Sequence, residues 1–186
     1  RVCYRSESRG EPGKFLRARI REGHESLIEH ASATFEISGI SRACSHQLVR
    51  HRLASYSQES QRYVAMDHPA FVVPDAIADN PQALEVWERF AAQVTTTYRQ
   101  LRDLGVPKED ARFVLPNATA TRIVTTMNFR ELLHFFSLRI TPEAQWEIRR
   151  VALRMLTLLV PHAPTVFGDR LKVLKREHPE FFMGET

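Results

Sequence analysis

The sequence predicts an α+β fold, a small mainly antiparallel sheet surrounded by helices in a single domain spanning residues 1–186. Two observations predict it. Segments with apolar residues at helical spacing dominate the chain, whereas only two segments have clear strand character. There is also no internal repeat, and no Gly-rich phosphate loop or GxGxxG follows a strand, so a doubly wound nucleotide fold is not indicated.

The elements run in order along the chain. Residues 5–13 are polar and turn-rich and predict a loop. From Lys14, Phe15, Ile20 and Leu27 fall near helical spacing, with Gly23 ending a first helix. Ala31–Ser38 alternates, with Ala33, Phe35 and Ile37 on one face and Thr34 and Glu36 on the other, which predicts a half-buried strand. Ser41 is a fair N-cap for a helix running through Cys44 and Leu48. Phe71–Pro74 is a short extended piece. Pro81 begins a helix whose stripe of Leu84, Trp87, Phe90, Val94, Tyr98 and Leu101 continues to Gly105. Pro107 starts a short helix that Pro116 limits, and Thr121–Thr126 is β-branched and predicts a second strand. Asn128 opens a helix to about Ile140. Thr141-Pro142 is expected to cap a long helix carrying Trp146, Ile148, Val151 and Leu156, stopped by Pro161.

The chain has 186 residues, 43% apolar and 26% charged, which is ordinary for a globular protein. Its net charge of +4 suits anionic partners but is too small to choose between small molecules and nucleic acid. Two cysteines, Cys3 and Cys44, are too few for a disulfide scaffold, so a cytoplasmic setting is expected. No apolar run reaches transmembrane length, and no membrane partner is expected. The sequence opens at Arg1 rather than Met, so an N-terminal piece is expected to be missing.

The chemistry concentrates in Arg50–Tyr63, where three arginines, a histidine and three serines stand within fourteen residues. Arg offers a planar fork of donors matched to phosphate oxygens, so this density points to anionic ligands. Dipole capping at a helix end accounts for Arg50, His51 and Arg52 alone. It does not account for the Ser, Gln and Arg residues beyond Leu53. If the chain extends there, a period of two places Gln58, Ser60 and Arg62 on one side. Asn128, Arg130, His134 and Arg139 form a second polar group among apolar neighbours, with Arg130 and His134 sharing a face. Arg112 resembles Arg139 in having apolar neighbours, and a buried Arg needs an anion or acceptor. A metal site is not expected: His24-Glu25-Ser26-Leu27-Ile28 lacks the second His of a helical zinc motif, and His24 and His30 fall on different faces.

Together these segments resemble the flavin-dependent thymidylate synthases, the ThyX-like family. The signature is Arg50-His51-Arg52-x-x-Ser55-x-Ser57-x-x-Ser60-x-Arg62. Further blocks match in order: Gly23–His30, Ala111–Pro116, Asn128-Phe129-Arg130 through Arg139, and Ala144–Arg149. The resemblance implies that His24, Ser26 and Glu29 touch FAD and that Arg50, His51, Arg52 and Gln58 hold the flavin. It implies that Gln47, Arg50, Gln58, Ser60, Arg62 and Arg112 bind dUMP. Asn128, Arg130 and His134 would reach the flavin from another subunit of a homotetramer. Arg139 would sit against the uracil and favour ionisation at ring nitrogen 3. The implied reaction is reductive methylation of dUMP to dTMP, with NADPH as reductant and methylenetetrahydrofolate as one-carbon donor. Ser60 is expected to bind ligand rather than act as a nucleophile. The family's first strand precedes Arg1-Val2-Cys3-Tyr4 and is absent from this sequence, Ser57 stands where many members have Asn, and Gln47 stands where Glu also occurs. Two other readings make different expectations: a nucleic-acid-binding module predicts salt-dependent oligonucleotide binding without a chromophore, and a flavin-binding protein without synthase activity predicts flavin but no dTMP.

Overall fold

A computed structural model describes residues 10–182. The helices are α1 (Pro12–Arg21), α2 (Arg42–Leu48), α3 (Asp75–Ala78), α4 (Pro81–Asp103), α5 (Lys108–Ala111), α6 (Phe129–Arg139), α7 (Trp146–Leu159) and α8 (Pro164–Glu177). Strands β1 (Ser32–Ser41), β2 (Ala54–Gln58) and β3 (Ala120–Asn128) form one antiparallel sheet in the order β1-β3-β2. The fold is therefore α+β, with helix predominating. The chain divides into two compact units, Arg1–Ala33 with Met127–Thr186, and Thr34–Thr126. Among the described residues, no helix is long and apolar enough to cross a membrane.

In the first unit α6 buries Leu132, Phe135 and Phe136, residues three and four apart on one face. Helix α7 buries Ile148, Ala152, Met155, Leu156 and Leu159 at the same period. Phe167 of α8 is fully buried, with its ring edge-on to Phe129 at 5.0 Å and to Phe136 at 5.9 Å. Burying a ring of this size contributes about 1.5–3 kcal/mol, so Phe167 anchors α8. Sequence patterning ends at Pro161 and does not foresee this helix. Two bounds also differ. Helix α1 starts at Pro12, inside the segment expected as loop, because Pro suits a first helical turn; residues 5–9 lie outside the described residues. Helix α7 is capped by Gln145 instead of Thr141, its side-chain oxygen accepting from the Glu147 and Ile148 amides at 2.9 and 3.2 Å.

In the second unit β1 alternates as expected, Phe35 and Ile37 half-buried and Thr34 and Glu36 exposed, but it runs on to Ser41. Ser41 ends the strand and caps α2, its hydroxyl oxygen accepting from the Cys44 amide at 3.0 Å. Helix α2 stops at Leu48. Tyr56 of β2 accounts for the sharp exit, since its hydroxyl lies 2.8 Å from both the Leu48 and His51 carbonyls. Helix α4 is capped by Asn80 and buries Val94 and Tyr98; Phe90, expected in the stripe, is 46% exposed. Tyr98 packs with Met66 and Ala111, and its hydroxyl accepts from the Met66 amide.

Candidate active site

In the second unit the turn after α2 presents Arg50 and Arg52 to solvent on either side of His51, which is 5% exposed. The chain then extends as β2, in which Ala54, Tyr56 and Gln58 share the half-buried face. Gln58 donates through Nε2 to the Ser45 hydroxyl at 2.9 Å and the Thr121 hydroxyl at 3.2 Å. Gln47, in the last turn of α2, is half-buried.

Beyond Gln58 the expected extended row breaks. Ser60 starts a turn: its hydroxyl oxygen accepts from the Arg62 amide at 3.2 Å, and its carbonyl accepts from Tyr63 and Val64. Arg62 leaves the strand's face and pairs through Nε and Nη2 with Oε2 of Glu109, 3.1 Å from each. The Glu109 carbonyl accepts from Arg112 Nε at 3.0 Å, so one residue ties Arg62 and Arg112 into the same corner.

That corner opens on a cavity of about 270 Å³ lined by Arg42, His46, Gln61, Arg112, Pro116 and Asn117 among others. None of the described residues lining it is acidic. Arg42 contributes the first residue of α2 and donates weakly, at 3.4 Å, to the Thr121 hydroxyl and the Glu59 carbonyl. Burial, and then the like charge of Arg112, hold the Arg42 guanidinium below the ordinary arginine value, with Glu59 opposing them. Arginine stays charged regardless, so the two cations repel across an open space that an anion would relieve. The sequence points to Arg112 but not to Arg42. Position 42 looks like an ordinary first helical turn, and only the fold places it opposite Arg112.

The first unit carries the second cluster. Asn128 caps α6, its side-chain oxygen accepting from the Glu131 amide at 2.9 Å. One turn of 3-10 helix, Glu25–Ile28, packs on α6 and buries Ile28. Arg130 crosses to it, with Nε 3.2 Å from Glu25 and Nη1 hydrogen-bonded to Glu29. These carboxylates, Glu29 first, raise the Arg130 guanidinium above its ordinary value. His24 and Ser26 adjoin these carboxylates in sequence, and His134 is one turn beyond Arg130 on the same helix. Arg139 is the last residue of α6 and is half-buried. The structure therefore brings Glu29 to Arg130 within one chain, and Arg62 to Arg112, as two separate groupings.

Fold and clusters define an α+β protein that gathers guanidinium groups at a cavity and at an exposed turn. The chain belongs to the Thy1 family of thymidylate synthase complementing proteins, whose model matches residues 1–165. A flavin-dependent thymidylate synthase of Geobacter sulfurreducens is 51% identical over 180 residues, covering 91% of this chain and 78% of the relative. That of Pyrococcus furiosus is 48% identical over 153 residues, covering 80% of this chain and 63% of the relative. That of Nitratidesulfovibrio vulgaris is 48% identical over 168 residues, covering 86% and 69%. The chain thus spans between about three fifths and four fifths of the length of these relatives.

Proposed function

We propose that the protein is a flavin-dependent thymidylate synthase acting in the cytoplasm. It would convert dUMP, methylenetetrahydrofolate, NADPH and one proton to dTMP, tetrahydrofolate and NADP+. The observation that carries this reading is the cavity lined by Arg42 and Arg112, to which Arg62 is joined through Glu109, in a chain about half identical to named synthases. The donor set fits FAD, whose pyrophosphate needs cations: Arg50 and Arg52 are exposed in their turn, and Arg130 is exposed on α6. When bound, FAD supplies hydride transfer, which no side chain here can perform.

The protein's part is binding, orientation and charge. His51, buried in the turn between Arg50 and Arg52, would help to hold the flavin with them, and Tyr56 clips the same turn from β2 through the His51 carbonyl. Arg62, Arg112 and Arg42 would hold the dUMP phosphate, with Ser60 shaping the turn and Gln47 and Gln58 facing the nucleotide. His24, Ser26, Glu29, Asn128, Arg130 and His134 would form one flavin-facing surface. Glu29 and Arg130 already touch, so they would act together from one protomer of a homotetramer while a neighbour supplies the Arg50–Arg62 segment. Arg139 would stand by the uracil ring and stabilise negative charge developing through nitrogen 3, which activates carbon 5.

The test is dTMP formation by full-length protein given FAD, NADPH, methylenetetrahydrofolate and dUMP. A yellow preparation that forms dTMP supports the proposal. Flavin without dTMP would leave a flavin-binding protein, and colourless protein binding neither FAD nor dUMP would overturn the reading.

A further inference from the structure

Beyond the residues matched by the family model, the chain ends its described part in one turn of 3-10 helix, Pro179–Phe182. This turn does not stand free. Phe181 packs against two groups that carry or can carry positive charge: the His178 ring stacks on it at 4.8 Å with 15° between planes, and the Arg149 guanidinium sits 4.6 Å from its centroid. Glu180 reinforces the arrangement, with an oxygen 3.1 Å from His178 Nδ1, and its carboxyl is held below the ordinary range by its own backbone amide first, then by His178 and least by Arg149.

Arg149 faces two ways. Its planar group covers Phe181, while the two hydrogens of Nη1 are shared among three carbonyls of the α6–α7 loop: Thr141 at 3.2 Å, Pro142 at 3.1 Å and Ala144 at 3.0 Å. Three carbonyls converging on one nitrogen hold a loop whose own backbone bonds include that of the Ala144 amide to the Thr141 carbonyl. That loop begins one residue after Ile140, the C-cap that follows Arg139. The loop that follows α6, a helix whose last residue is Arg139, is thus tied down from the C-terminal side by Arg149. Phe181 in turn fixes Arg149.

We infer that the Pro179–Phe182 turn is a latch that positions Arg139 for catalysis, with Arg149 and Phe181 as its positioning residues. The inference rests on the proposed place of Arg139 beside the uracil ring. A side chain that aligns a charge with a reacting ring is sensitive to small displacements, so a loosened latch acts on turnover more than on nucleotide affinity.

Four variants of the flavin-loaded full chain test this, each assayed for kcat and KM with dUMP. Phe181→Ala is expected to lower kcat by about tenfold, since displacements near 1 Å cost up to about a hundredfold. Its KM for dUMP should stay within about twofold, the pattern of a lost transition-state interaction. Phe181→Tyr, which keeps the ring against His178 and Arg149, should restore kcat. If Phe181→Ala fails to fold, Phe181→Leu keeps volume without the ring face and carries the same expectation. An unchanged kcat in Phe181→Ala or Phe181→Leu overturns the latch, as does an equal loss in Phe181→Tyr. Arg139→Gln, which removes the charge, separates the two readings. A large loss there with no effect at Phe181 removes the latch and leaves the role of Arg139 standing, whereas full activity in Arg139→Gln removes both.

Discussion

Arg42 and Arg112 face one cavity of about 270 Å³, and the like charge of Arg112 helps to hold the Arg42 guanidinium below its ordinary value. Two cations kept close without a carboxylate among the described lining residues are arranged for a dianion such as a phosphate monoester. Each charge-assisted bond lost is worth about 1.5–3 kcal/mol, so Arg42→Ala is expected to raise KM for dUMP by about ten- to a hundredfold. Deoxyuridine, which lacks the phosphate, should bind parent and variant alike. Isothermal titration with both ligands checks this. An equal loss of deoxyuridine binding would show that Arg42 supports the fold of the corner and does not meet phosphate.

Arg130 behaves differently because its partners are already present. It is exposed, and exposed ion pairs contribute little to stability. Arg130→Ala should therefore leave the apo-protein melting temperature unchanged within error while lowering the flavin retained through purification. The ratio of flavin absorbance to protein absorbance reads the second effect. A variant with full flavin content would exclude Arg130 from the cofactor surface.

How much of the fold and site is legible in the sequence depends on how local each signal is. Helix α4 is readable because Pro81 and its stripe lie within one segment, and Asn128 is readable as a cap because a cap and its amide are three residues apart. The Arg50–Arg62 chemistry is visible as density of donors. Its shape is not: the extended row needs a ladder, and the bond from the Glu59 amide to the Arg122 carbonyl gives way to the Ser60 turn. Arg42 is invisible for a related reason. Its hydrogen bond to Thr121 and its repulsion from Arg112 join residues far along the chain, and no spacing rule reports such a meeting. Helix α8 hides its anchoring ring, Phe167, among charged residues, so its apolar stripe is too thin to read.

Asn128 serves two purposes that substitution can separate. Its side-chain oxygen caps α6, and loss of such a cap costs about 1 kcal/mol. Asn128→Ala should lose that stability, whereas Asn128→Asp keeps an accepting oxygen and should retain it. If the amide also meets the flavin, both variants should hold less of it, because the carboxylate adds charge where the ligand is anionic. Denaturant melts of the apo-protein and flavin content read the two effects separately. Asn128→Asp with full flavin content would restrict Asn128 to capping.

Ser60 tests the division between binding and chemistry. Its hydroxyl oxygen accepts the Arg62 amide and so holds the turn that sends Arg62 to Glu109. Ser60→Ala is expected to weaken dUMP binding while leaving measurable dTMP formation at saturating dUMP. Complete loss of turnover with dUMP still bound, seen by titration against the same preparation, would instead assign the hydroxyl a covalent role.

Glu131 gives a pH dependence whose sign comes from its surroundings. It lies buried in the first turn of α6, and burial raises its carboxyl above the ordinary range, with His134 pulling weakly the other way. The folded state then keeps this proton to a higher pH than the unfolded chain does. Between the ordinary carboxylate value and the raised one the native state binds more protons, so stability falls as pH rises through that window and stays lower above it. Glu131→Gln removes the ionisation while keeping shape and an accepting oxygen. Its melting temperature relative to the parent should accordingly be more favourable at pH ~8 than at pH ~4. A larger relative loss at the higher pH would mean that the ionised carboxylate, held by its partners and the helix N-terminus, is the form the fold prefers.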